Sequence, residues 1–317
     1  MIQLSIVIPK SAGAAQFEET LASVLGNRPD NCEVVVVTAG QYDDPYDLAD
    51  EVDFVEAEPE AGLLDLINAG FRHARGEIVH LLLCSAEVQE GWTKPALLQF
   101  KDASVGSVAP LVLLSHDKEC VASAGIRIGR GHTKLLAAAG QRLGDDPPFD
   151  APIAGPTLAA AFYRRQAISQ VHGVDPAVGP VLADLDLSLS LARLGYATRF
   201  EPTCRVWSAV PDCQYGGGFS QAQFRERLFW RHCSSLTSLL WHAVLVSGEF
   251  LWNVPRGRAL STLTGRLCGM LRAPLDRYAR ERASSAWPID NTLRSVATQE
   301  EVHQTKKSHH QIRNTAA

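Results

Sequence analysis

Residues 4–8 form a mostly apolar, largely β-branched run stopped by Pro9, and that feature narrows the architecture more than any other. A strand of this kind hides both faces, which happens where helices cover a parallel sheet. The pattern repeats at 34–37, 52–55 and 78–83, with helical stretches at 16–26 and 61–74 between the runs. In the first of these helices Phe17, Leu21, Val24 and Leu25 share one side. Strands alternating with helices predict an α/β fold, a mixed, mostly parallel sheet with helices on both faces. Ligands of such sheets sit beyond the carboxyl ends of the strands, so the segments starting at Pro9, Thr38 and Cys84 are expected to share one rim.

Further along, 105–114, 122–128 and 157–163 read as strands, and 185–194 as a helix closed by Gly195. Between them, the glycine- and proline-rich stretch 129–156 reads as a long loop. From 221 the character changes. Residues 221–282 carry ten arginines, no lysine and four acids (Glu226, Glu249, Asp276 and Glu281) around a core rich in tryptophan and leucine. Two readings stay open for this region: packed helices with solvated arginines, or an interfacial hairpin turning a basic face to anionic lipid. A spanning helix is not expected, because 235–254 contains His242, Glu249 and several serines. Residues 284–317 are polar and aperiodic and read as a disordered tail. The expected divisions are therefore 1–210, 211–283 and 284–317.

A net charge of −5 gives no overall pull towards nucleic acid. The seven scattered cysteines show no C-x-x-C spacing, which argues against a disulfide framework or zinc site and suits a reducing cytosol. The first residues lack a basic start and read as a strand rather than a secretory leader. No glycine-rich pyrophosphate signature follows the first strand, so a dinucleotide-binding enzyme is not expected.

Several landmarks fall in one order: Ser5-Ile6-Val7-Ile8-Pro9, Glu33-Val34-Val35-Val36-Val37, Gly62 with Asn68-Ala69-Gly70, Ala74-Arg75-Gly76-Glu77, then Gly91-Trp92. Later come Phe162-Tyr163-Arg164-Arg165, His172-Gly173-Val174-Asp175 and Ala183-Asp184-Leu185-Asp186-Leu187, leading to Arg193-Leu194-Gly195-Tyr196 and Pro202. Their order and spacing over about residues 3–210 resemble the family-2 glycosyltransferases of GT-A fold, especially the rhamnosyltransferase-like branch. The resemblance implies a Rossmann-like domain that binds a nucleotide-sugar donor at the rim. It also implies an Asp-x-Asp metal motif and a carboxylate that deprotonates the acceptor for inverting transfer. Asp184 falls at the base position, with Asp186 two residues on. A helix-capping role for Asp184 is the plain alternative. Pro9, Thr38, Gly62, Asn68, Cys84 and Ser85 fall where the family contacts the nucleotide-sugar.

The departures are many. Lys10-Ser11-Ala12 replaces the family's aromatic and Asn after the first strand. Thr38-Ala39-Gly40-Gln41 replaces the base-contacting Asp-Asp-Gly-Ser, with Asp43 and Asp44 several residues late. Leu83-Cys84-Ser85 stands in place of the metal motif, Ala183 and Ser190 replace a Glu and an Arg, and Ser208 replaces a late His. The usual ligands of a magnesium or manganese ion are thus missing, and Glu87 alone offers a weak substitute. Without a metal, the diphosphate charge would fall to Lys10, Arg127, Arg130 or Lys134, or to the backbone of Tyr215-Gly216-Gly217-Gly218; plain surface charge and a flexible connector are the competing readings. Cys84 reads as a small buried filler, and His73, His80 and His172 show no metal-ligand spacing.

Two functions follow from these residues. One is a metal-independent glycosyltransferase acting on a glycan or glycolipid acceptor in cell-envelope polysaccharide assembly, cytoplasmic or peripheral at the inner membrane face through 221–282. The other is a catalytically inactive homologue, a pseudoenzyme that binds or scaffolds.

Overall fold

The computed structural model describes residues 2–11, 13–144, 152–209, 218–233 and 235–284, with 274–284 as backbone alone. The chain runs β1 (Leu4–Pro9), α1 (Ala14–Gly26), β2 (Cys32–Ala39), β3 (Asp53–Ala57), α2 (Leu63–His73), β4 (Ile78–Leu82), β5 (Ala86–Glu87), α3 (Thr93–Gln99) and β6 (Val105–Leu114). It continues through β7 (Asp117–Ser123), β8 (Ile126–Ile128), β9 (Lys134–Leu136), β10 (Ala160–Arg164), α4 (Arg165–Val171), α5 (Ala183–Arg193) and β11 (Ala197–Ser208). Three helices close it: α6 (Phe219–His232), α7 (Leu236–Asn253) and α8 (Ala259–Ser284).

Among the described residues nine strands make one sheet, in the order β3-β2-β1-β4-β10-β6-β11-β5, with β7 pairing on β6. The strands β3, β2, β1 and β4 are mutually parallel. β10 enters antiparallel between β4 and β6, and β11 returns parallel to β6. All six residues of β1 and all five of β4 are buried, because helices cover both faces. On one face α1 and α3 bury Phe17, Leu21, Val24 and Ala96 against Ile6, Val36 and Phe162. On the other, α2, α4 and α5 bury Leu66, Ile67, Phe71, Ile168 and Leu187 against Val7, Val35 and Leu81.

His80 lies at the centre of the sheet and is satisfied there. Its ring stacks on Phe162 at 3.7 Å, Nδ1 lies 3.1 Å from the Ala161 carbonyl and Nε2 accepts the Trp92 indole N–H at 3.3 Å.

The structure corrects several expectations. The strand expected over 122–128 divides into the end of β7 and the separate β8, which pairs antiparallel with β9. The stretch 129–156 is therefore not one long loop: its first part is a hairpin with a 3-10 turn at Arg130–His132. Helix α5 begins at Ala183, so Leu182 holds the capping position and Asp184 and Asp186 fall in the first turn. The polar tail from 285 onward and Tyr215-Gly216-Gly217 lie outside the described residues.

The C-terminal helices dock by polar anchors and one close seam. Asp186, wholly buried, accepts from Arg231 Nη1 at 2.9 Å and lies 2.8 Å from His232 Nε2, while Arg231 also pairs with Asp175. That network fixes α6 to α5. Helix α8 meets α6 at Gly265 and Gly269, where an added Cβ would stand 2.3 Å from the Phe219 carbonyl oxygen and 2.5 Å from that of Gln223. Helix α7 stacks His242 on Phe229 at 3.6 Å. Glu226 collects the polar contacts between the three helices, accepting from Trp230 Nε1 at 2.9 Å and Arg266 Nη1 at 2.7 Å, with His242 Nε2 at 3.0 Å. Burial alone would raise the Glu226 carboxyl, but hydrogen bonds from His242 and Arg266 outweigh it and hold it below the usual carboxylate range.

Candidate active site

The parallel strands end together. Pro9 is level with Val37, and Ala39 with Ala57, so 9–11, 38–40 and 83–85 form one rim. Pro9 closes β1, and its carbonyl accepts the buried Cys84 thiol at 3.1 Å. Lys10 follows. Its backbone donates to the Val37 carbonyl, and its ammonium lies 4.3 Å over the Tyr42 ring and 5.8 Å from that of Phe17. Tyr42 in turn packs between Phe17 and Phe54, which gives the cation an aromatic floor. Thr38 is buried and donates its hydroxyl to the Gly40 carbonyl at 2.8 Å.

Ser85 is the most unusual residue on the rim. It adopts φ 72°, a left-handed conformation that costs about 1–2 kcal/mol for a residue with a Cβ. Its hydroxyl is buried and, among the described residues, has no hydrogen-bond partner. Strain and unused hydrogen-bonding capacity coincide in one side chain where the resemblance puts the metal motif.

The remaining nucleotide-site residues are placed differently. Gly62 caps α2 exposed at its N-terminus, and its N–H donates to the Asp65 carboxylate at 3.1 Å. Asn68 faces away from open space: its amide donates to the Val174 carbonyl at 2.8 Å and accepts the Val174 N–H at 2.9 Å. It clamps α2 to the segment ahead of α5.

Asp184 sits in the first turn of α5, 1% exposed. One carboxylate oxygen accepts the Leu185 N–H at 2.7 Å, and the other lies 2.7 Å from Lys134 Nζ, whose side chain is only 2% exposed. Lys134 also donates to the Val181 carbonyl at 3.3 Å. It is thus neither a surface charge nor a rim cation. Burial, then the Asp184 charge, push the neighbouring Tyr163 hydroxyl well above its ordinary value, and among the described residues that buried hydroxyl has no hydrogen-bond partner. Arg130 stacks on Trp241 at 4.4 Å, and Arg127 is exposed on the β8–β9 hairpin. Of the four cations expected near a diphosphate, Lys10 alone lies on the rim.

These donors do not fit a divalent metal. At the motif position stand a thiol bonded to a carbonyl and a single hydroxyl. The nearby Glu87 is exposed and lies 3.8 Å from Lys118. Among the described residues no cluster of three His, Cys, Asp or Glu side chains could hold an ion. No chemical step is assigned to a metal here.

Tyr42 and the Arg231–Asp186 anchor have no direct sign in the sequence, and Tyr163 stands among the landmarks without its link to Asp184. Tyr42 lies in an irregular stretch, and the partners of the other two are distant in the chain.

Comparison with known proteins settles the fold. No protein-family model matches the chain, and no curated protein does. Among solved structures it is similar to GalNAc-T7, determined with UDP, GalNAc and Mn2+, at 15% identity and a TM-score of 0.54, over 72% of this chain and 47% of that one. The fold is GT-A. The chain spans less than half of that relative's length, so GalNAc-T7 speaks for the GT-A domain and not for a whole protein. A looser match, to the mannosyltransferase PcManGT from Pyrobaculum calidifontis in complex with GDP-Man and Mn2+, has 18% identity and a TM-score of 0.47, over 95% of this chain and 80% of that one. The second match carries no argument. The antiparallel β10 lies between β4 and β6 in this GT-A sheet.

Proposed function

We propose that the chain is a glycosyltransferase of GT-A fold. It takes a nucleotide-sugar at the carboxyl rim and transfers the sugar, with inversion and without a metal, to a glycan or lipid-linked acceptor of the cell envelope. The observation that carries this reading is Ser85, a strained rim residue whose buried hydroxyl has no hydrogen-bond partner among the described residues. Strain of this kind persists where a site uses it. The Ser85 hydroxyl and the Lys10 ammonium are the groups on hand to meet a departing diphosphate. Asp184 is the base, and for it to accept a proton Lys134 has to release the carboxylate oxygen it holds.

That same ion pair favours a second reading. A carboxylate 1% exposed and neutralised by a buried lysine is a stabilising element of the fold, and the chain is then a catalytically silent relative that retains the scaffold. Thermal-shift titration with UDP-, GDP-, dTDP- and CMP-sugars, with and without manganese, separates the two when paired with a donor-turnover assay. Stabilisation with turnover supports the transferase. Stabilisation without turnover supports the silent relative, and no stabilisation by any nucleotide-sugar sinks the transferase reading.

The proposal includes peripheral contact with the inner face of a membrane through 221–282. Among the described residues no helix is long and apolar enough to cross a membrane. Yet α7 and α8 leave Leu236, Leu240, Leu251 and Leu271 at 68–80% exposure beside exposed arginines, a combination suited to an anionic lipid surface. Co-sedimentation with phosphatidylglycerol vesicles and with neutral phosphatidylcholine vesicles tests it; equal or absent binding removes the membrane contact.

A further inference from the structure

A cavity of about 820 Å³ opens between the β8–β9 hairpin, the start of α5 and helices α6–α8. We propose that it binds a phosphate-headed amphiphile, a phosphate group carried on an apolar chain. Its size is within the range of small-molecule sites, roughly 300–1,000 Å³.

The charges divide into two groups. Deep in the cavity the cations are balanced. Lys134 pairs with Asp184, Arg225 lies 3.0 Å from Glu249, and Arg266 pairs with both Glu226 and Glu249. At the turn joining α7 to α8 they are not. Arg256 and Arg258 both line the cavity, both are exposed, and among the described residues neither has a carboxylate partner. Arg256 is held in place over the Trp252 ring at 4.0 Å and donates to the Trp252 carbonyl at 2.7 Å. A fixed guanidinium with donors to spare suits phosphate oxygens, which it can grip in pairs.

The chain is apolar on either side of these arginines. Leu251, Trp252, Val254 and Leu260 are 69%, 66%, 52% and 75% exposed, and of these Trp252 lines the cavity, together with Val244 and Leu245 of α7. A bare anion would make no use of that surface. A neutral apolar ligand would leave two uncompensated cations beside it. A molecule with both parts satisfies both.

The inference stands apart from the donor reading, because none of Pro9, Lys10, Thr38 or Ser85 lines this cavity. The test is isothermal titration of the full chain with dodecyl phosphate below its micelle concentration, with inorganic phosphate and neutral dodecyl maltoside as controls. Dodecyl phosphate is expected to bind one-to-one, at least about tenfold tighter than either control. Arg256→Ala with Arg258→Ala is expected to weaken it at least about tenfold with no change in the thermal midpoint.

A second variant does not touch the arginines. Gly248 lines the cavity, and a Cβ added there meets nothing within 4 Å, so Gly248→Leu has an open start for its side chain, narrows the space and is expected to weaken binding at least about tenfold. Equal binding of the two dodecyl compounds, equal binding of inorganic phosphate, or full binding by both variants overturns the proposal. Dihexanoyl phosphatidic acid and farnesyl phosphate then distinguish a diacyl from an isoprenoid source, and failure of both to bind also overturns it.

Discussion

Lys134 Nζ lies 2.7 Å from Asp184 Oδ2, and both side chains are sealed from water at 2% and 1% exposure. Breaking one side of such a pair leaves a charge in a poor solvent, whereas replacing both charges with apolar groups can be neutral. Lys134→Met is therefore expected to destabilise the fold by about 3–5 kcal/mol in urea unfolding, and Lys134→Met with Asp184→Leu to recover much of that. If Asp184 is the base, Asp184→Asn slows donor turnover by about 10²–10⁴-fold while leaving donor-induced stabilisation intact. An unchanged rate takes the base role from Asp184.

Ser85→Gly removes a Cβ from a left-handed position and an unpartnered hydroxyl from a buried one. The expected result is a gain of about 1 kcal/mol in stability, since the relief exceeds the entropy lost by introducing glycine. If the hydroxyl meets a donor phosphate, the same variant loses donor-induced thermal stabilisation. Higher stability with undiminished donor binding would make Ser85 a flaw of packing and not a part of the site.

Burial pushes His80 down from 6.5 to about 4. The folded protein therefore holds His80 neutral while the unfolded chain takes up a proton, so stability falls as pH drops from about 6.5 towards 4. The full loss is about 3 kcal/mol from this one ring. Burial shifts His132 and His232 in the same direction. Glu33 and Glu226, held below the usual 4.5, add their loss at lower pH still. Urea midpoints between pH 7.5 and 4.5 should fall steadily, and His80→Gln should flatten that slope; a parallel slope in the variant would refute the assignment.

At the α6–α8 seam Gly265→Leu would set a side chain against the Phe219 carbonyl, where the obstacle is backbone and cannot turn aside. Overpacking of this kind costs about 1–3 kcal/mol. Limited proteolysis should then cut α8 before the sheet domain. Uncleaved α8 at unchanged stability would mean that the seam is looser than its geometry indicates.

The sheet was legible in the sequence because strands buried on both faces leave mostly apolar runs, as in 4–8, 34–37 and 78–83. The direction of β10 was not, since an apolar run looks the same parallel or antiparallel. The hairpin inside 129–156 was also hidden: β8 and β9 have three residues each, too few to show alternation. Strand ends pointed correctly to the rim. They could not reveal what binds Asp184 or Asp186, because Lys134 is 50 positions before the one and Arg231 is 45 after the other.

The glycine contact between α6 and α8 decides which wall of the large cavity can give way. With two helices pressed main chain to main chain, and the Arg231 network pinning one of them to the sheet domain, that side is stiff. Helix α7 is joined by side chains instead: the His242–Phe229 stack, Leu245 against Gly131, His242 with Glu226, and Glu249 with Arg225 and Arg266. Side chains can part and re-form where main chains cannot, so α7 is the wall expected to yield to a bulky guest, with the α6–α8 seam and the sheet domain left in place.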